Sequence, residues 1–409
     1  MAAPSTSRPA SGTDSAATGA PAGGGPNTDP ALTAPTPTAD LAGRLQRLGN
    51  ELATAGLDTV VIGPGADLAY FVGHSVSSHE RLTCLVVTPD GTGKLLVPSL
   101  ERPGWNGSGA EQLGLEIATW LDGEDPYAAL AALLPESARM LGVDYYLPAM
   151  HALGLRAAVP GSELALAGEA IAELRMRKDP AELAALTAVA AANDRVQRRI
   201  GEWLLPGRTE REVAADIAAA LVAEGHQAAD FVIVASGPNG ASPHHEASDR
   251  VLREGDPVVV DIGGPSPAGY NSDCTRTYVV GAPTEEFAEV HRIVQQAQQA
   301  GVQAARAGAG CAAVDAASRQ VIVDAGYGDY FITRTGHGIG LEVHEHPYLV
   351  RGNDRELEPG MAFSVEPGIY LPGKFGVRIE DIVVIDADGV GQRLNHAPTE
   401  LVSVGGAKP

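Results

Sequence analysis

Four carboxylates and one imidazole in the second half of the chain each sit inside a short, distinctive frame. They are Asp261 in VVVDIG, Asp273 in YNSDCTRTY, His337 in GHGIGLEVHEHP, Glu366 in FSVEPGIY and Glu380 in VRIEDIVVI. The apolar residues around Asp261, Glu366 and Glu380 argue against simple solvated surface charge. Buried together without cations, four carboxylates would repel one another by many kcal/mol. Two divalent ions would cancel their four negative charges. The set therefore constrains the fold: five separated frames must meet, and they must meet around metal.

Local patterns indicate how. Asp261 follows three valines, a β-like run, and Asp273 opens the next strand. Between them Gly263, Gly264, Pro265, Pro267 and Gly269 are turn formers, so a hairpin brings both carboxylates to neighbouring positions. Glu366 and Glu380 are arranged similarly, each in a β-like run, with Pro372-Gly373-Lys374 between them. His337 lies in a glycine loop, Gly336 to Gly340, where backbone and ligand can approach closely. Oxygen-rich donors with one imidazole suit Mn²⁺, Co²⁺ or Zn²⁺ better than a thiolate-selective metal. Two such ions could clamp a water and lower its pKa toward neutrality, for attack on an amide or ester carbonyl. Singly, each residue has a plainer reading: an Asp at a strand end is usually a turn or cap residue, and Glu380-Asp381 could be a solvated edge pair. Five frames in one order are much harder to explain that way.

Composition narrows the class. The 409 residues suggest two domains or three. With 51 acidic and 29 basic side chains the formal net charge is -22, which argues against a nucleic-acid partner and against anionic membranes. No apolar run is long enough to span a membrane, and the N-terminus lacks the pattern of a standard secretory signal. Cys84, Cys274 and Cys311 are widely separated and odd in number. A reducing, cytoplasmic compartment fits them better than a disulfide framework.

Residues 1–39 mix Ala, Pro, Gly, Ser and Thr and read as a disordered tail. Order begins at Leu41, where Leu41, Leu45, Leu48 and Leu52 recur at helical spacing before Gly56. Short β-rich runs and helical segments then alternate, predicting a small α/β domain over residues 40–175. Asp179-Pro180 starts a helix that should run to about Leu204. Thr209-Glu-Arg-Glu212 is a capping box for the next helix. Strands at 231–235, 257–262 and 275–280, helices at 285–307 and 315–325, and β-rich runs at 362–370 and 376–385 follow. This clustering predicts an α+β domain over 178–405.

The order Asp, Asp, His, Glu, Glu within these frames resembles the pita-bread metallopeptidases, which include Xaa-Pro dipeptidase (prolidase), aminopeptidase P and methionine aminopeptidase. The Xaa-Pro peptidases are the nearer match, through SGPNGASPHHEASDR at 236–250, NSDCTRT, GHGIGLEVHEHP and EPGIY. The resemblance covers nearly all of 178–405. The preceding domain resembles, more weakly, the creatinase-type N-terminal domain of the same group. The resemblance implies two divalent ions, Mn²⁺ foremost, with Asp261 on one, Asp273 and Glu380 bridging, and His337 and Glu366 completing the other site. Glu366 would also take a proton from the attacking water. His244, 17 residues before Asp261, would bind substrate and shuttle a proton. His344, seven after His337, would contact the scissile carbonyl or the tetrahedral intermediate. Arg378 and Tyr370 match supporting positions.

The implied activity is hydrolysis of the bond before proline in a small peptide, as dipeptidase or aminopeptidase, by a homodimer. Plainer roles stand beside these: His245 outside the site, Glu345 and His346 shaping a loop, Arg378 as an ion-pair partner, Tyr370 and Cys274 as core. Eleven residues separate Asp261 from Asp273, one more than in the common family hairpin, which puts an extra residue near Pro265-Ser266-Pro267. That departure leaves open a hydrolase or lyase of a small non-peptide substrate. A non-catalytic binding module of this fold would typically have lost ligands, and all five remain.

Overall fold

Helix α1 (Leu41–Ala55) buries the expected leucine stripe and ends where Gly56 turns left-handed at φ 70°. The structure, a computed structural model, describes residues 40–77 and 80–405. The tail expected over 1–39 lies outside the described residues. Strands β1 (Thr59–Ile62), β2 (Cys84–Val87), β3 (Gly93–Pro98), β4 (Glu116–Trp120), β5 (Met140–Val143) and β6 (Glu163–Leu166) form one mixed sheet in the order β4-β3-β2-β1-β5-β6. Helices α2 (Ala66–Val72), α3 (Gly109–Gln112), α4 (Pro126–Leu133), α5 (Ala149–Ala158) and α6 (Gly168–Met176) accompany it. Alternation decides the layers. Val60 and Ile62 pack with Leu45, Leu48 and Leu52 on one face. Val61 packs with Leu130, Leu133 and Leu155 on the other.

Helix α7 (Pro180–Gln197) opens on a complete capping box between Asp179 and Glu182. It stops at Gln197, seven residues short of the expected end, and a 3₁₀ turn follows at Ile200–Glu202. Val196, Ile200 and Leu204 still enter one buried cluster, so the apolar spacing outlasts the helix. Helix α8 (Glu210–Ala223) starts at the expected Thr209 capping box. Helices α9 (Glu285–Ala304) and α10 (Cys311–Asp324) pack together, α10 beginning four residues before its expected start.

The strands of this second domain are β7 (Phe231–Ser236), β8 (Pro257–Pro265), β9 (Asn271–Val280), β10 (Gly336–Gly338), β11 (Glu345–Leu349), β12 (Ala362–Val365), β13 (Gly368–Leu371), β14 (Phe375–Arg378), β15 (Asp381–Ile385), β16 (Gly391–Arg393) and β17 (Val402–Val404). They make a four-stranded sheet β17-β9-β8-β7, a five-stranded sheet β11-β10-β12-β15-β16 and the ribbon β13-β14. The two β-like runs that hold Glu366 and Glu380 are therefore each broken. Val365 pairs with Asp381 in one sheet, and Gly368 pairs with Arg378 in the separate ribbon. Both acids sit in the breaks. Their amides bond elsewhere, Glu366 N to Thr335 O at 2.7 Å and Glu380 N to Thr275 O at 3.1 Å. Pro367, with no N–H to donate, suits such a break.

A buried ion cluster joins the two domains. Arg175 on α6 donates to Asp67 at 2.6 Å and to Glu342 at 2.8 Å, and also to Glu345. Lys178 donates to the other oxygen of Glu345. Glu345, read from sequence as shaping a loop, thus ties the His344 segment to the interdomain boundary.

Candidate active site

In the β8-β9 register Asp261 faces Thr275 and Asp273 faces Gly263. The two carboxylates are diagonal neighbours on one face of the hairpin, because residues two apart share a face. Thr275, opposite Asp261 and two residues after Asp273 on the same strand, donates to Glu380 Oε2 at 2.6 Å.

His337 lies in a strand, not in the glycine loop expected. His337 pairs with Tyr348, and Gly338 faces Phe363. A Cβ on Gly336 would stand 1.9 Å from Ser364 O, and one on Gly338 would stand 2.1 Å from His346 O. The glycines admit neighbouring backbone rather than a ligand. His337 Nδ1 lies 3.1 Å from Gly338 O, which selects the tautomer that leaves Nε2 free to coordinate. Nε2 points at Asp273 Oδ2 (3.5 Å) and Glu366 Oε1 (3.3 Å). Ser364 Oγ receives His337 N–H at 3.1 Å and donates to Glu366 Oε1 at 3.2 Å.

Asp273, His337 and Glu380 each present a donor atom within 4.8 Å of the other two. Asp261 Oδ2 accepts from Arg378 Nη2 at 2.6 Å, while its Oδ1 is buried with no hydrogen-bond partner among the described residues. Burial and repulsion from the other acids, Glu380 foremost, push Asp273 well above the usual carboxylate range. Burial and its acidic neighbours, Glu366 foremost, do the same to Glu380. Burial also opposes the charge on Glu366, but the bond and charge of His337, with Arg378, hold it below its ordinary value. An orphaned carboxylate oxygen, an imidazole nitrogen aimed at two acids and crowded like charges fit divalent metal, which takes such donors and supplies the missing positive charge.

A cleft of about 960 Å³ is lined by all five donors and by His244, His344, Tyr370 and Arg378. The structure thus brings together every site residue expected from the sequence. The His344 ring stands 4.1 Å from that of His337, and burial with nearby positive charge pushes it down to about 4. His344 is therefore neutral at pH 7, able to donate one hydrogen bond and accept another. His244 is exposed at the cleft wall, whereas the neighbouring His245, which also borders the cleft, engages its Nε2 with Glu210 Oε2 at 2.8 Å. Arg378 Nη1 donates to the Tyr370 hydroxyl at 2.9 Å and Nε donates to Thr275 Oγ1 at 3.0 Å. The Pro265-Pro267 turn lines a neighbouring cavity of about 740 Å³ that shares His344 and reaches Gly65 to Ser75 of the first domain.

Sequence reading missed Thr275, Ser364 and Arg334. Thr275 lies two residues from Asp273 on the same strand face, and Ser364 lies two before Glu366, within hydrogen-bond reach of its carboxylate. Arg334 lies three before His337 and carried no signal of its own.

Residues 44–177 match the Creatinase/Prolidase N-terminal domain and residues 184–387 match metallopeptidase family M24. Probable dipeptidase PepE of Mycobacterium tuberculosis (strain ATCC 25618 / H37Rv) is 50% identical over 363 residues, 89% of this chain and 96% of that protein. Xaa-Pro dipeptidase of Lactobacillus delbrueckii subsp. lactis is 35% identical over 373 residues, 87% of this chain and 98% of that protein. The crystal structure of dipeptidase PepE from Mycobacterium ulcerans has a TM-score of 0.86 and 49% identity, covering 90% of this chain and 99% of that one. The chain belongs to metallopeptidase family M24, with a creatinase-type N-terminal domain ahead of a pita-bread domain. Among the described residues no helix is long and apolar enough to cross a membrane.

Proposed function

We propose that the protein hydrolyses the peptide bond before proline, with Xaa-Pro dipeptides as preferred substrates. The observation that carries this reading is the convergence of five metal donors and two histidines on one cleft, in a chain related to a named Xaa-Pro dipeptidase. Asp261, Asp273, His337, Glu366 and Glu380 would hold two divalent ions, Mn²⁺ foremost with Co²⁺ or Zn²⁺ possible. Charge supports two. Arg378 offsets one of the four acids, and two divalent ions convert the remaining deficit into one positive charge. A substrate anion or a hydroxide neutralises that charge. When bound, the metal lowers the pKa of water and polarises the scissile carbonyl.

The chain's own residues do the rest. Glu366, held ionised beside His337, accepts the proton of the attacking water. Neutral His344 donates a hydrogen bond to the developing oxyanion. His244, in the same cleft, passes a proton to the leaving proline nitrogen. Arg378 and Tyr370 hold Asp261 and the cleft floor in place. The domain division near residue 177 belongs to the same reading, supported by the separate sheets on either side. So do a cytoplasmic location, supported by three free buried cysteines, and a homodimer, supported by family resemblance alone.

Arg334 favours a dipeptide. Its guanidinium stands 4.6 Å from the Tyr348 ring centre, in the cleft wall. Among the described residues it is the cation of this cleft without a carboxylate partner; Arg378 is held by Asp261. A free proline carboxylate would supply that partner. Arg334→Leu should raise KM for Ala-Pro about tenfold, near 1.4 kcal/mol, and barely change KM for Ala-Pro-amide. Steady-state kinetics on the two substrates checks this.

The test of the function itself is proline release from Ala-Pro and cleavage of Ala-Pro-Gly after loading with Mn²⁺. Faster turnover of the dipeptide is expected. Negligible turnover of both would sink the proline-specific reading and return attention to small non-peptide substrates.

A further inference from the structure

The segment that carries His244 has no regular secondary structure between Ser242 and Asp249, yet it must hold an imidazole in place at the cleft. Its anchors converge on one side chain. Glu210, the first residue of α8, is fully buried. Its Oε1 accepts from Ser236 N (2.7 Å), Ser236 Oγ (2.6 Å) and Asn239 Nδ2 (3.0 Å). Its Oε2 accepts from Ser248 N (3.0 Å) and Ser248 Oγ (2.6 Å), and meets His245 Nε2 at 2.8 Å. All of these donors lie in the 236–250 motif. A carboxylate is the side chain that offers only acceptors, with about four lone-pair sites, so it suits six converging donors as no amide would. Burial raises its pKa, but these donors outweigh burial and hold it down to about 2.

On the cleft side the same segment is held once more, by Arg378 Nη1 to Pro243 O at 3.3 Å. His244 is thus flanked by Pro243, tied to the metal-site arginine, and His245, tied to Glu210. His244 itself has no protein hydrogen-bond partner among the described residues, which leaves its ring free for a ligand.

We propose that Glu210 is a positioning residue: its buried carboxylate clamps the 236–250 segment through Ser236, His245 and Ser248 and thereby sets His244 over the cleft. This rests on the reading that His244 contacts substrate. Glu210→Gln keeps size and shape but turns one acceptor into a donor facing other donors. The clamp opens on that side, and His244 loses its fixed position.

The experiment is a double-mutant cycle with Mn²⁺-loaded full-length enzyme, reading kcat/KM on Ala-Pro, together with amide hydrogen exchange. Glu210→Gln should lower kcat/KM about 10- to 100-fold, the cost of a misplaced group, and should cost almost nothing further on a His244→Ala background. Exchange should rise within 236–250 and stay unchanged in β8 and β9. Ser248→Ala, which removes one donor only, should give the same pattern at smaller amplitude and serves if Glu210→Gln folds poorly. Losses that multiply in the double variant, or unchanged exchange in 236–250, would overturn the proposal while leaving the peptidase reading intact. A wild-type level of activity in His244→Ala would overturn it through His244. Absence of turnover in the wild type is the separate failure of the peptidase reading, and loop exchange still decides whether Glu210 holds the segment.

Discussion

Asp273→Asn should abolish turnover and, in metal-stripped protein, should raise the melting temperature. The first half follows from placement. Asp273 shares its donor cluster with His337 and Glu380, so losing its charge removes a donor common to the proposed metal sites. A loss of at least about 10³-fold in kcat/KM is expected from a site that relies on metal for its nucleophile. The second half follows from repulsion. Asp273 is buried against Glu380, Asp261 and Glu366, with Arg378 as the nearby cation. An isosteric amide removes one of four crowded charges and should stabilise the metal-free domain by about 1–3 kcal/mol, or several degrees.

Metal reverses the order. Wild type gains about 2.7 kcal/mol at a hundredfold excess over Kd, and the variant gains far less. The pH dependence has a matching sign. A carboxyl whose folded pKa is raised binds its proton more tightly in the folded state. Metal-free wild type should therefore gain stability as pH falls from neutral toward the usual carboxylate range, and Asp273→Asn should flatten that slope. Melts with EDTA and with Mn²⁺ across pH check this. A variant that melts lower than wild type without metal, or keeps its metal-induced upshift, contradicts the charge argument.

The proposed donor set stood out in the sequence because each of its residues sits in a locally informative frame. Polar residues inside valine- and isoleucine-rich runs stand out against a strand's ordinary pattern. The helix caps at Asp179, Thr209 and Thr284 were legible for the same reason, since capping is local chemistry within three residues. Continuity was not. Residues 362–370 read as one strand, yet the chain leaves one sheet at Glu366-Pro367 and enters another at Gly368. Apolar alternation persists through the break because both halves are buried. The GHG strand was read as a loop because glycine carries no β preference, and only the backbones of Ser364 and His346 explain why glycine is needed. Least legible were partners far apart in sequence. Arg175 meets Glu345 across 170 positions and Arg276 meets Asp381 across 105, and no local pattern marks such pairs. The first of these connects the N-terminal domain to the residue beside His344, so the smaller domain contributes to the site's geometry without lending a metal donor.

Arg378→Leu should do the opposite of Asp273→Asn. Arg378 is buried and donates to Asp261, Tyr370, Thr275 and Pro243 O. Burial disfavours its charge, but the surrounding phenol and carboxylates raise its pKa well above the ordinary arginine value, so it remains a cation. Removing it leaves Asp261 without its side-chain partner among the described residues, beside three other acids. Breaking a buried pair from one side costs about 3–5 kcal/mol, so metal-stripped Arg378→Leu should melt far below wild type. Divalent metal supplies positive charge to the same acids and should recover most of that loss, making the variant's fold strongly metal-dependent. Turnover should stay low even when loaded, by about 10²-fold, because Pro243 loses its anchor on the cleft side and His244 moves with it. Arg378→Lys should restore the charge but not the planar fork that reaches several acceptors, so its metal-free melting temperature recovers more than its kcat. Equal destabilisation of Arg378→Leu with and without Mn²⁺ would mean that Arg378 is an ordinary ion-pair partner. The acids would then not be balanced jointly by one arginine and bound metal.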